Sequence, residues 1–139
     1  MNKMFLHAGC LFLAILLHAS CKKPQDRYYW KSMKVSVSAY NSVPWQTDSL
    51  HAIAAWGDTL KPGMKCVAVS RDLVRMGLRY NMPIRIEGLQ GMFLVKDKMH
   101  PRWHRKIDIY MGVDIKRARS WGRKKLTIRY PVKRDSTEL

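Results

Sequence analysis

The chain is short of acids. Ten Asp and Glu stand against 26 Lys and Arg, for a net charge of +16. That imbalance selects for anionic partners, whether nucleic acid, acidic lipid or an acidic polymer, and does not choose among them. At 139 residues the chain also lacks the length for two ordinary domains, so one domain with a tail is expected. It has no defensible internal repeat, and its 47% hydrophobic content argues against a wholly disordered chain. A membrane-spanning helix needs ~20 apolar residues. The best stretch, residues 1–21, is interrupted by His7, Gly9, His18 and Ser20, which makes a spanning helix the weaker reading.

What that stretch does contain is an address. Lys3 is its one charge, Leu11–Leu17 is an apolar run, and Ala19 and Ser20 are small residues before Cys21. A basic start, a short apolar core and a small-residue cut site describe a secretory signal. Leu17-His18-Ala19-Ser20-Cys21 resembles a bacterial lipobox, in which the cysteine is lipidated and becomes the mature N-terminus. The resemblance implies a cell-envelope, periplasm-facing lipoprotein held in a membrane, expected to be the outer one, through a lipid anchor on Cys21. A plain secreted protein and an uncleaved anchor stay open as alternatives, and all three place the domain outside the cytoplasm.

That location bears on the other signals. Residues 115–134 hold nine Lys and Arg and no acid, with Trp and Tyr interleaved. In a cytosolic chain this would point to nucleic acid. Behind an export signal no nucleic-acid partner is expected, and a solvated helix face, acidic peptide stems or acidic lipid headgroups are the remaining readings. Cys10 falls in the removed segment and Cys21 carries lipid, leaving Cys66 unpaired. Its neighbours Val67, Ala68 and Val69 make it a core residue with nothing nearby to activate a thiol.

Residues 1–21 thus read as signal, 22–34 as a polar, basic tether, 35–130 as the domain and 131–139 as a charged tail. Within the domain, short β-type segments alternate with turn signals. Strands are expected at Lys34–Tyr40, Ala52–Trp56, Lys65–Ser70, Ile84–Glu87, Met92–Val95, Ile107–Tyr110 and Leu126–Tyr130, with Gly88–Gly91 as a hairpin turn. Arg71–Met76 reads as a helical turn stopped by Gly77, and Asp114 opens a second short helix that runs to Trp121 and stops at Gly122. The fold class is all-β with small helices, a small barrel.

Several segments together resemble the 3D domain family, named for its three aspartates. They are SAYNSVPWQT (38–47), AWGDTLKPGM (55–64), VAVSRDL (67–73), VKDKM (95–99), IDIYMG (107–112) and WGRKKLTI (121–128). Each is weak alone; their order and spacing make the set. The family is a six-stranded double-psi β-barrel found in membrane-bound lytic transglycosylase A and in stationary-phase survival proteins, and it is related to expansins. The resemblance implies that Asp108, in the Ile-Asp-Ile-Tyr strand, is the catalytic acid and that Asp97 is its neighbour. Where the family has its third aspartate this chain has Ser70, with Asp72 two residues on.

The implied substrate is the glycan strand of peptidoglycan. Cleaving a glycosidic bond requires protonating the leaving oxygen, and ordinary hydrolysis adds a second carboxylate. Lytic transglycosylation instead lets the muramyl 6-hydroxyl attack within the substrate, so one acid suffices. Desolvation and a nearby carboxylate would raise the pKa of such an acid, while the cations at Lys96, Lys98, Arg102, Arg105 and Lys106 would act in the opposite sense. Tyr40, Trp45, Gln46, Thr47, Asp72 and Trp103 are candidate substrate-binding residues, the aromatics by stacking and the polar groups by hydrogen bonding. No cofactor is expected. His100 and His104 have helical ligand spacing, but Pro101 between them argues against a metal pair. On that resemblance the chain is expected to lack the extra domain that completes the groove in the larger transglycosylase, which leaves room for a protein partner to complete it. The alternative function is a non-catalytic, expansin-like glycan-binding module.

Overall fold

A computed structural model describes residues 27–43 and 52–134. The expected sites Cys21, Trp45, Gln46 and Thr47 lie outside those residues. Alternation of apolar with small polar residues at Val35-Ser36-Val37-Ser38 gives a strand with one buried face, β1 (Tyr28–Tyr40). The other strands are β2 (Cys66–Val69), β3 (Pro83–Ile86), β4 (Phe93–Lys98), β5 (Lys106–Tyr110) and β6 (Lys124–Lys133). They close into a barrel in the order β1-β5-β2-β4-β3-β6. β1 runs parallel to β5 and β2 parallel to β4, while the remaining neighbours are antiparallel. Apart from the β3–β4 hairpin, consecutive strands are not neighbours. β5 lies between β1 and β2, and β2 lies between β4 and β5, the interlacing that a double-psi barrel requires.

The barrel interior is filled from alternate positions of every strand, among them Val37, Val67, Ile84, Val95, Ile107 and Ile128, all fully buried. Burying such branched side chains contributes about 1.5–3 kcal/mol each. α1 (Arg71–Arg75) buries Leu73 against this core and ends in a glycine turn at Gly77, whose φ is 108°. α2 (Ile115–Trp121) starts at Asp114, whose carboxylate accepts from the N–H of Arg117 at 2.9 Å. Neither helix is long and apolar enough to cross a membrane.

Three expectations need correction. The strand expected at Ala52–Trp56 is a turn-rich segment with a single bridge, Ile53 to Thr59, because its backbone groups bond within the segment or to the Asp97 side chain rather than to the backbone of a barrel strand. β1 starts at Tyr28, inside the stretch expected as tether, because Tyr28–Met33 pairs in register with Ile128–Lys133 of β6. For the same reason β6 runs on to Lys133, into the stretch expected as tail. Every barrel strand and its core lie between Tyr28 and Lys133, so a chain starting at Lys22 retains the whole folding unit.

Outside the barrel, the 52–65 segment lays Ala54 and Leu60 over Cys66, Tyr110 and Tyr40, a second small core. Gly112, at φ 61°, is required where this segment approaches β5. A Cβ there would stand 3.2 Å from the Pro62 Cα, so a side chain would meet both backbone strain and a clash.

Candidate functional site

Register places the candidate acids. Ser38 of β1 pairs with Asp108 of β5, and Asp108 pairs with Ala68 of β2. Ala68 in turn pairs with Asp97 of β4. The four residues therefore form one row across four neighbouring strands, on the outer face, since Val37, Val67 and Ile109 fill the inside. One strand separates the two aspartates, about 10 Å between Cα atoms at the usual strand spacing.

A β-bulge puts Asp97 there. Val67 pairs with Val95 but Ala68 pairs with Asp97, so Lys96 is the extra residue. Without the bulge, strict alternation would turn Asp97 toward the barrel interior. The outward carboxylate is used at once: its Oδ1 accepts from the N–H of Ala55 at 2.7 Å and from that of Lys98 at 2.8 Å. Lys96 reaches Asp58 at 3.3 Å and lies over the Tyr80 ring. Burial works against its charge, but the Asp58 and Tyr80 contacts outweigh that and hold the ammonium above the usual lysine range. Together these contacts fasten the 52–60 segment over the site.

Asp108 is half-buried. Ser38 donates its hydroxyl to Oδ1, and the Lys106 ammonium lies 3.4 Å from the same atom. Among the described residues no hydrogen bond falls on Oδ2. Lys106 also stands 3.9 Å above the Trp103 ring, so one lysine joins Trp103 to Asp108. Arg102 and Arg123 approach that ring at 5.0 and 5.9 Å, which crowds it with cations.

Tyr40 lies beside the row. Its ring is 5.4 Å from that of Tyr110, and its buried hydroxyl has no hydrogen-bond partner among the described residues. Burial first, then the negative charge of Asp97, pushes the phenol far above its usual range, so it stays a neutral donor. Tyr110 instead shares a 2.8 Å hydrogen bond with Ser42. The Cys66 thiol, next to this pair, is pushed up to about 11, chiefly by burial and then by Asp97.

Asp72 stands apart from the row. Its Oδ2 accepts from the N–H of Arg105 at 2.9 Å, and Arg105 has a left-handed φ of 43°. Ser70, fully buried, accepts from the N–H of Lys106 at 3.0 Å. Ser70 and Asp72 thus hold the turn entering β5, and through it the positions of Lys106 and Asp108. Burial would raise the Asp72 carboxyl, but hydrogen bonds from Ser70 and from the Arg105 N–H prevail and hold it below the usual range. A depressed carboxyl contributes stability that is present above its unfolded value of ~3.9 and lost as pH falls through the lower folded value. Thermal melts from about pH 5 to about pH 3 should therefore show wild type losing more of its midpoint than Asp72→Asn. Equal losses would remove this contribution.

The structure thus brings Asp97, Asp108 and Tyr40 together, attaches Trp103 through Lys106, and leaves Asp72 as a loop anchor. Sequence reasoning did not single out Ser38 as a partner of Asp108. Its position two residues before Tyr40, hence on the same strand face, was the available signal. Lys106 counted only as one cation among several, because nothing local shows which of them faces the acid. Compared with protein-family models and with curated protein sequences, the chain matches none.

Proposed function

We propose that this chain is a cell-envelope lipoprotein that engages peptidoglycan glycan strands on the outer face around Asp108 and cleaves them as a lytic transglycosylase. The observation that carries the reading is the row Asp97–Ala68–Asp108–Ser38. It agrees with the resemblance to the 3D domain family, which makes these two aspartates neighbours. In this reading Asp108 protonates the leaving glycosidic oxygen through Oδ2, which carries no hydrogen bond among the described residues, and the muramyl 6-hydroxyl attacks the anomeric carbon to give a 1,6-anhydro end, its proton passing to the Asp108 carboxylate. Ser38 orients the carboxyl from the Oδ1 side, Tyr40 offers a neutral hydroxyl, and Asp97 holds the segment that covers the site.

A second reading, a glycan-binding module without cleavage, is favoured by one observation. Lys106 and Ser38 both occupy Oδ1 of Asp108, and Asp97 is committed to two backbone N–H groups. Such carboxylates can serve as hydrogen-bond acceptors for sugar hydroxyls with no proton transfer. Purified sacculi incubated with the chain from Lys22 onward separate the two. Cleavage predicts soluble fragments with 1,6-anhydro-muramyl ends by mass spectrometry. Folded protein that pellets with sacculi and releases nothing would replace the enzyme by the binding module.

A further inference from the structure

A second surface lies on the far part of β1 and β6. These strands pair along their length to Tyr28 and Lys133, whereas β5 joins β1 only from Ser36 onward, and β3 meets β6 only at Arg85–Ile86. Tyr28–Trp30 and Pro131–Lys133 therefore extend past the barrel as a two-stranded ribbon. Tyr28 is 57% exposed, Tyr29 43% and Trp30 37%. Three adjacent exposed aromatics are costly in water and need an explanation.

Beside the ribbon, on the outer face of β3 and β6, stands a matching charge anomaly. Arg85 and Arg129 stand directly opposite each other in antiparallel register, where like charges repel. Neither forms an ion pair among the described residues. Arg85 lies 5.4 Å from the Trp30 ring, and Lys133 pairs opposite Tyr28. The two arginines line a depression of about 300 Å³ with Thr127, Leu89 and Glu87. Glu87 is the acid in that lining, and its carboxylate is taken up by the N–H of Thr127 at 2.7 Å.

We infer that this ribbon face is a docking surface for an anionic phospholipid bilayer, with Arg85 and Arg129 receiving headgroup phosphate and Tyr28 and Trp30 entering the interface. Phosphate between the arginines relieves their repulsion and matches guanidinium geometry. Tyrosine and tryptophan partition to the headgroup level because one end of each ring is apolar and the other polar. The surface also faces the right way along the chain. Arg27 lies six residue steps beyond Cys21, a reach of at most roughly 20 Å, so a lipid on Cys21 would keep the ribbon at the membrane. That supporting point rests on the lipoprotein reading; the ribbon chemistry does not.

The test is co-sedimentation of the chain from Lys22 onward, without a lipid anchor, with vesicles of phosphatidylcholine alone or containing one-third phosphatidylglycerol. Binding is expected only to the anionic vesicles. One basic residue at such a surface changes partitioning about fivefold. Arg129→Glu, which reverses one charge, should lower it roughly 20-fold, and Trp30→Ala should also weaken it. Arg129→Glu should keep or raise the thermal midpoint, because it removes the like-charge pair, and that separates lost binding from lost folding. Lys116→Glu, an equal charge change on exposed α2, should have a much smaller effect. Equal losses for the two reversals would reduce the inference to net charge and overturn it. So would full suppression by millimolar glycerol phosphate, which would identify a soluble phosphate as the ligand. Acylation of Cys21, read by mass spectrometry of the membrane-expressed full chain, tests the anchor separately.

Discussion

Asp108→Asn is expected to lower the release of anhydro-muramyl ends from sacculi by about 10²- to 10⁴-fold, the usual contribution of a positioned general acid. The substitution is close to isosteric. Its amide oxygen can still accept from Ser38, and Lys106 keeps its place above Trp103, so fold and sacculus binding should persist. What disappears is the carboxyl that the proposed mechanism uses as its proton donor. Three readouts are needed together: product ends, pelleting with sacculi, and a thermal melt. Lost products with retained pelleting and an unchanged melt assign the acid. Undiminished products would move the proton donor elsewhere, and Tyr40, neutral and buried beside the row, would be the next residue to replace.

The second large effect concerns Cys66. With Cys10 and Cys21 removed, a chain starting at Lys22 has this one thiol. It is 1% exposed, and burial, aided by Asp97, pushes it up to about 11. The thiolate is the reacting species. Near pH 8 its fraction would be roughly 200-fold below that of a free cysteine of pKa ~8.5. Burial adds the requirement that the 52–65 segment first lift away. Labelling by an aromatic disulfide reagent should therefore be at least about 100-fold slower than for free cysteine and become ordinary in denaturant. Rapid labelling of native protein would mean that the segment opens freely, and that the contacts of Asp97 with Ala55 and of Lys96 with Asp58 do not hold it.

Much of the fold was legible because it rests on period-two alternation. Val35, Val37, Ile107 and Ile109 announce buried faces, and Gly77 and Gly122 announce helix ends. Asp114 was legible as a cap because capping is a local interaction. What was not legible depends on partners distant in sequence. Tyr28–Met33 looks like polar linker until β6 is known to lie beside it, and Ala52–Trp56 looks like a strand until no neighbour is found for it. The same limit governs the site. Asp97 and Asp108 could be named, but the bulge at Lys96 that turns Asp97 outward has no sequence signature, nor has the choice of Lys106 over Lys98 as the cation at Asp108. Ser70 and Asp72 read as an incomplete motif; in three dimensions they anchor the turn into β5.

The interlaced strand order also sets how this chain must assemble. Ser36 can complete its pairing only when Lys106 and Lys125 have arrived on either side of it, and Ala68 waits for both Asp97 and Asp108. Hardly any of the barrel is satisfied by neighbours in sequence, apart from the β3–β4 hairpin. Loop-closure entropy must then be overcome before most contacts form, which places such topologies among the slow folders, on the order of milliseconds to seconds. Until β5 docks between β1 and β2, the row that brings the two aspartates together does not exist. The chemistry proposed for this face therefore waits on a strand far along the chain from β1 and β2.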